Sequence, residues 1–560
     1  MKVRFLCFIA TLALVGVMAT PAHAAGDSRV TRDDTPGSYL RYDGSSDDTT
    51  EACSTGKRSQ NEPAIAVDPR DTTVLVAGSN DYCAATVNGD VWAGYYRSTD
   101  GGASWQDSLV PGYPADVSPA GLASPAHGKC GAAGDPTQSF DREGRLFYGF
   151  ICFNRVKPIN GSIYVATYDQ DGANYVRTSL VARGTPSGLF GVGLFQDKVN
   201  LAVDQTNGPH AGNIYVAWAR FTATNPNNLI QFSRSTDHGV SFSKAVNISR
   251  GVLGGKQFAD VAVGPDGAVY VTFLSYQINP QSVTGVWVVK STNGGRTFGT
   301  PVLVSRIVLF DSDQFSGGSG QVDCGDGIFF ACPSGLTFSR FGSLGAVAAD
   351  ETGVHVVWSG RDADRQAKIF ASNSPNGGTW SHPEPLDSVP VGHQWFPDIA
   401  SADGVMSVVF YDSRNDAAYS PDLPPGNTAS GVNSGDVVQT FAAQSTDGGV
   451  TWTENQITSA GSNFGWETHG SRRVGFWGDY NYVSAVPGAV VAAWTDSRDL
   501  VPGVDPRETG EDDDHDGFDV LQPCQYIPND IDAPSYSSPL VNDPCLSMGG
   551  LDQNIYAGQI

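Results

Sequence analysis

Two Asp-Ser-Arg tripeptides, at 412–414 and 496–498, stand out in a chain that is short of cations, with 34 Lys and Arg against 59 Asp and Glu. Arg155, Arg220 and Arg361 end other apolar, strand-like runs in the same way as Arg414 and Arg498. A guanidinium binds a carboxylate through paired, charge-assisted hydrogen bonds, so several of these Arg converging on one mouth would suit an acidic ligand. Glu62, Asp135 and the pair Asp479-Tyr480 stand at the starts of further strand-like runs. Carboxylates and a tyrosine gathered at a concave site suit glycoside hydrolysis. The structural alternative for any one Arg is an Asp–Arg pair that locks neighbouring repeats together, since a residue repeated at one place usually does a repeated job.

A third constellation is Asp512, Asp514, Asp516 and Asp519 around Gly517. Alternating carboxylates before a glycine turn match the first half of a calcium loop, although position twelve would be Pro523 instead of the closing Glu. The competing reading is a solvated acidic loop. His393 stands on a top-face (mouth-side) loop before a strand, where ligand contact is one reading and packing or capping is the favoured one. No other cofactor is implied: no Ser-His-Asp arrangement, phosphate loop or dinucleotide fingerprint is present.

The elements that must position these residues are repeats. Ser98-Thr-Asp-Gly-Gly-Ala-Ser-Trp105 returns at 235–242, 291–298 and 445–452, with degenerate copies at 168–175 and 374–380. Asp or Asn accepts local backbone bonds, the glycines permit positive φ, and the closing aromatic tucks beneath the turn. Each copy is a hairpin device joining one strand to the next. A second repeat pairs two strand-like runs, as in Glu62–Asp68 with Val74–Gly78 and Tyr480–Ser484 with Val490–Trp494. Seven such copies predict an all-β fold, a β-propeller of four-stranded antiparallel blades. Seven blades are favoured, with six if one unit is a decorating hairpin. The last unit lacks an outer strand, which residues 38–42 could supply to close the ring and remove an open edge.

The eight-residue turns resemble the Asp-boxes, or BNR repeats, of the sialidase superfamily. The resemblance covers most of 60–560 and implies that the boxes lie on the face opposite the active site. It implies an arginine triad, an acid/base Asp and a Tyr paired with a Glu. Tyr480 beside Asp479, with Arg414 and Arg498, is the nearest matching set, and Glu467 is the local Glu candidate. The superfamily's Arg motif at the first inner strand is missing, because Asn61-Glu62-Pro63-Ala64 stands there. The expected function is a sialidase-like exo-glycosidase acting on sialic acid or another acidic glycan. The alternatives are a propeller that binds glycan or protein without catalysis, and a structural envelope or matrix protein.

Composition sets the compartment and excludes some partners. The chain has 560 residues, 66 Gly, 33 Pro and a formal charge of −25. High Gly and Pro with 17% charged residues argues against a helical protein. The acidic balance argues against nucleic acid as partner. Residues 1–24 read as a secretory signal: Lys2 and Arg4, an apolar run, then Ala22-His23-Ala24. A lead of 25–57 and a propeller of 58–560 follow, with insertions at 306–342, 416–435 and 499–550. Outside the signal no span can cross a bilayer. The expectation is a secreted, monomeric protein whose partner is a glycan or glycoprotein. The remaining Cys suggest disulfides in an exported protein. Neighbour pairing gives Cys53–Cys83, Cys130–Cys152, Cys324–Cys332 and Cys524–Cys545.

Overall fold

The computed structural model describes residues 26–56, 58–83, 85–154, 160–186, 193–222, 225–309, 344–417, 419–421, 437–463, 477–499 and 553–560. The secretory signal, the calcium-like loop, Glu467, Arg155 and the cysteines at 324, 332, 524 and 545 lie outside them.

Alternating apolar runs separated by Gly- and Asp-rich turns form antiparallel ladders, as strand periodicity requires. One sheet is Gln60–Asp68, Asp71–Asp81, Trp92–Ser98 and Gln106–Leu109. An eight-stranded sheet follows and divides into two groups of four. Ala132–Phe140, Leu146–Asn154, Asn160–Asp169 and Asn174–Ala182 make the first group; Leu194–Val203, Ile214–Thr222, Asn225–Ser235 and Val246–Asn247 make the second. A single parallel pair, Phe195 with Gly161, joins them. Three more four-stranded sheets begin at Gly255–Val263, Gly345–Asp350 and Gln394–Ala402. The last comprises Tyr482–Val486, Ala489–Asp496, Asn554–Gln559 and a strand from the other end of the chain, Ser28–Arg29.

The first strand of each group lies beside the first strand of the next, and Tyr482–Val486 lies against Gln60–Asp68. The ring is closed around a central channel. The fold is a β-propeller.

Closure differs in detail from the sequence expectation. Ser28 and Arg29 pair with Ala557 and Tyr556, and the Val30 N–H donates to the Ile555 carbonyl at 2.7 Å. Residues 38–42 instead run beside the outer strand of the first sheet. Tyr39 bridges Asp107 there, and its hydroxyl donates to Asp81 at 2.9 Å. A short strand nearer the terminus closes the ring because the buried ring of Tyr39 anchors the following segment elsewhere.

The repeated turns act as staples between sheets. In 98–105 Ser98 Oγ donates to Asp100 at 2.8 Å, the Gly102 N–H to Ser98 Oγ at 2.9 Å, and Ser104 Oγ to Asp100 at 2.6 Å. The same bonds recur in 235–242 and 445–452. Each turn then presents a carbonyl to the preceding sheet. Arg234 donates to Gly294 at 2.6 Å, Asn373 to Gly449 at 3.4 Å and Ser28 to Gly102 at 2.6 Å. The recurring box therefore fulfils a recurring structural role.

Two disulfides stiffen the other end of the ring. Cys53–Cys83 ties the short helix Asp48–Cys53 to the region after Asp71–Asp81, and Cys130–Cys152 ties the 111–133 insertion to Leu146–Asn154. Both are expected pairings.

Gly239 has φ +78°, and a Cβ there would stand 2.8 Å from Thr167 Oγ1 and 3.4 Å from the Phe147 ring of the preceding sheet. Gly267 has φ +75° with nothing within 4 Å of that position. Gly239→Ala should lower stability by roughly 1–3 kcal/mol and Gly267→Ala by about 1 kcal/mol, from backbone strain alone. Equal shifts in melting temperature would refute the stapling role of the turn.

Candidate functional site

One backbone irregularity builds the channel mouth. The first strands of five groups carry a register shift, between Asn61 and Ala64, Gly134 and Thr137, Asp197 and Asn200, Gln257 and Asp260, and Trp395 and Asp398. Inside these shifts Glu62, Asp135, Lys198, Phe258 and Phe396 have φ between 48° and 55°. A bulge with one left-handed residue interrupts the strand's two-residue alternation and re-aims a side chain. Left-handed non-glycine backbone costs on the order of 1 kcal/mol or more, so it persists only where surrounding contacts hold it.

The first three bulges bring Glu62, Asp135 and Lys198 together, and the last group adds Asp479 and Tyr480. Glu62 and Asp135 share a hydrogen bond, and Asn80 Nδ2 donates to Glu62 Oε2 at 2.7 Å. Burial, then the charges of Asp135 and Asp479, push the Glu62 carboxyl well above the usual carboxylate range. The Lys198 ammonium lies 3.0 Å from the centroid of the Tyr480 ring. Desolvation lowers its pKa, against the pull of Asp135, Glu62, Asp479 and Asp260. A Cβ on Gly478, at φ +87°, would overlap Glu62 Cγ, so only glycine lets the last group approach.

A second layer lies two residues further along these strands. Asp260 accepts from the Val347 N–H at 2.7 Å, and Asp398 from the Val483 N–H at 2.7 Å. Above them Asp135 accepts from the Lys198 N–H at 3.0 Å. Each bond runs from one first strand to the next, so these aspartates are staples as well as charges. Tyr482 reaches Thr137 at 3.0 Å. It lines both a small cavity of about 40 Å³, with Lys198, Asp260, Asp398 and Tyr480, and a wide funnel of about 970 Å³ that opens on the opposite face, at the far ends of the first strands and the turns that follow them.

The expected catalytic set therefore meets: Glu62, Asp135, Asp479 and Tyr480 share one mouth. Tyr480 differs from its expected role as a ready nucleophile. It is 5% exposed, its hydroxyl has no hydrogen-bond partner among the described residues, and burial with three nearby carboxylates pushes its pKa well above 10. The phenol stays protonated. Among the described residues the glutamate beside it is Glu62, which comes from the opposite end of the chain, while Glu467 lies outside them.

Among the described residues the arginines form no clamp of the expected kind, Arg155 lying outside them. Arg414 binds its own Asp412 at 2.5 Å, Asp387 at 3.1 Å and Glu454 at 2.8 Å, with its guanidinium 4.2 Å from the Phe441 ring. Arg498 repeats this with Asp496 at 2.6 Å, Asp27 at 2.8 Å and the Tyr556 ring at 4.1 Å. Both guanidinium groups fold over the third strand of their own sheet and meet a carboxylate of the outer strand or its flank. Arg220 and Arg361 are half-buried at their strand ends, and the structure shows no meeting of Arg220, Arg361, Arg414 and Arg498 at the mouth. His393 is fully buried, its Nδ1 bonded to the Ala367 N–H at 3.2 Å, which fits packing and capping. Among the described residues no cluster of three or more His, Cys, Asp or Glu could hold a metal, and no helix is long and apolar enough to cross a membrane.

No protein-family model matches the chain, and no curated protein matches it. Among solved structures it is similar to a Hadza microbial sialidase, with 14% identity over 75% of this chain and 70% of that one, at a TM-score of 0.39. It is similar to the alpha-L-arabinanase of Penicillium chrysogenum, with 14% identity over 69% and 94% of the two chains, at 0.41. It is also similar to the alpha-L-arabinofuranosidase of Fusarium graminearum, with 13% identity over 69% and 93%, at 0.39. The propeller assignment rests on the ring of sheets itself.

Burial raises the Asp260 carboxyl to about 6, against the hydrogen bonds that lower it. Between the unfolded value near ~3.9 and about 6, the native state holds the extra proton, so this group's contribution to stability falls as pH rises through that window. Asp260→Asn should therefore lose less melting temperature than wild type between pH 4 and pH 7. Parallel curves would contradict a raised Asp260.

Proposed function

We propose that the protein is a secreted glycoside hydrolase working at the channel mouth, with the proton held between Glu62 and Asp135 as its acid. The observation that carries this is the strained trio Glu62, Asp135 and Lys198. Strained backbone gathers at functional sites, and here it collects ionisable groups that would otherwise repel or desolvate one another. A carboxyl kept protonated by burial is the form a general acid needs.

Glu62 and Asp135 touch, whereas the two working carboxylates of a glycosidase stand on the order of 5–9 Å apart with the sugar between them. Glu62 and Asp135 therefore serve as one proton-holding unit, and Asp479 from the last sheet is the opposing carboxylate. The exo-sialidase version needs guanidinium groups for the sugar's carboxylate, and the ion pairs of Arg414 and Arg498 leave it less support than a neutral glycan. The two disulfides support an oxidising, extracellular compartment.

A second reading is glycan binding without turnover. It is favoured by the low exposure of Glu62, at 5%, and by the stapling roles of Asp135, Asp260 and Asp398.

A panel of chromogenic sialosides, arabinosides and neutral glycosides over pH 4–8 separates the readings. The hydrolase reading expects turnover of at least one substrate, lowered about 10²–10⁴-fold in kcat by Glu62→Gln. Arg414→Ala and Arg498→Ala should lower the melting temperature and leave KM unchanged. Glycan-array binding with no turnover would establish the second reading, and neither binding nor turnover would sink both.

A further inference from the structure

Asn80 ends the second strand of the first sheet, beside the mouth. Its side-chain oxygen accepts from the Asp135 N–H at 2.8 Å. Its Nδ2 donates to Glu62 Oε2 at 2.7 Å and to Asn61 Oδ1 at 3.2 Å. Asn61 in turn donates to Gln553 at 3.2 Å. A backbone N–H can only donate, so the oxygen of Asn80 must face Asp135, and the amide's polarity toward Glu62 follows without ambiguity. The amide is 9% exposed, which makes a reversal that stranded these groups costly.

The consequence falls on a proton. Glu62 and Asp135 share a hydrogen bond, and two carboxylates in contact need one proton between them. Glu62 Oε2 already accepts from Asn80, and Asp135 Oδ2 from the Lys198 N–H at 3.0 Å. The oxygens not engaged by these two bonds are Glu62 Oε1 and Asp135 Oδ1, and the shared proton is assigned between them.

We propose that Asn80 is the positioning residue of the mouth, its amide holding Glu62 Oε2 as an acceptor and so directing the shared proton to the Glu62–Asp135 contact. This rests on the reading of Glu62 as a proton-holding acid. Asn80 itself does not exchange a proton with substrate. Its approach depends on Gly134, where a Cβ would overlap Asn80 Oδ1. Gly134→Ala therefore displaces the amide without adding charge.

The test is isotope-edited infrared spectroscopy of the full chain labelled at the glutamate carboxyl carbon, titrated from pH 4 to pH 9. Glu454, raised to about 7, supplies a second protonated carboxyl, so Glu62→Gln is needed to assign the Glu62 band. Asn80→Asp keeps the acceptor toward Asp135 and replaces the donor toward Glu62 by an acceptor. The expected result is a shift of at least one pH unit in the Glu62 titration. Gly134→Ala should change the frequency of the same band, and it serves alone if Asn80→Asp does not fold. An unchanged Glu62 band in the folded variants overturns the positioning role. If Glu62→Gln removes no protonated band at neutral pH, the acid reading of Glu62 fails instead, and the two failures are distinct. Where turnover is found, Asn80→Asp should move the acid limb of the kcat profile more than KM.

Discussion

The structure depends on how a β-strand can face a narrow axis without burying unpaired charge. A regular strand alternates its side chains, so consecutive residues point to opposite faces. One left-handed residue in the first strand breaks that rule at the mouth and restores it below. The chain beyond the break resumes its ladder, as Ala64–Val67 does against Leu75–Gly78. At three of the bulged strands, bonds from Asp135, Asp260 and Asp398 to the next first strand offset the strain and tie neighbouring sheets together.

The bulge is shared by chemically different residues. Phe258 and Phe396 hold the same backbone as Glu62, Asp135 and Lys198, so the conformation belongs to the propeller and the charge belongs to three positions only. Ionisable bulge residues stand on one arc and aromatic ones on the other, with Phe258 and Phe396 buried.

The repeats were legible because their turn chemistry is local: Asp, Gly and an aromatic within eight residues specify a hairpin wherever they occur. The gathering of Glu62, Asp135, Asp479 and Tyr480 was legible for a related reason, since repeat topology alone carries strand starts to one face. The bulges were not read, although a signal existed. Glu62, Asp135 and Phe396 each precede a proline, and a proline within an inner strand belongs where no ladder bond is lost. The inward arginine clamp failed for a non-local reason. Asp-Ser-Arg shows a charge at a strand end, but Asp27, Glu454 and Asp387, which turn Arg498 and Arg414 outward, lie elsewhere in the chain. Asn80 was likewise unmarked, because an amide between two sheets leaves no spacing pattern.

Ring closure has a consequence for how the chain is made. Thr31 Oγ1 donates to Asn554 at 2.8 Å, and the two residues stand 523 positions apart. Contacts so distant in sequence form slowly, because the chain between them must lose its freedom before they form. The last sheet lacks its outer strand until residues 28 and 29 meet 554–559, so closure cannot precede synthesis of that strand. Such a chain stays an open crescent with exposed edges while it is being synthesised. The unclosed ring is the vulnerable interval of the protein's life.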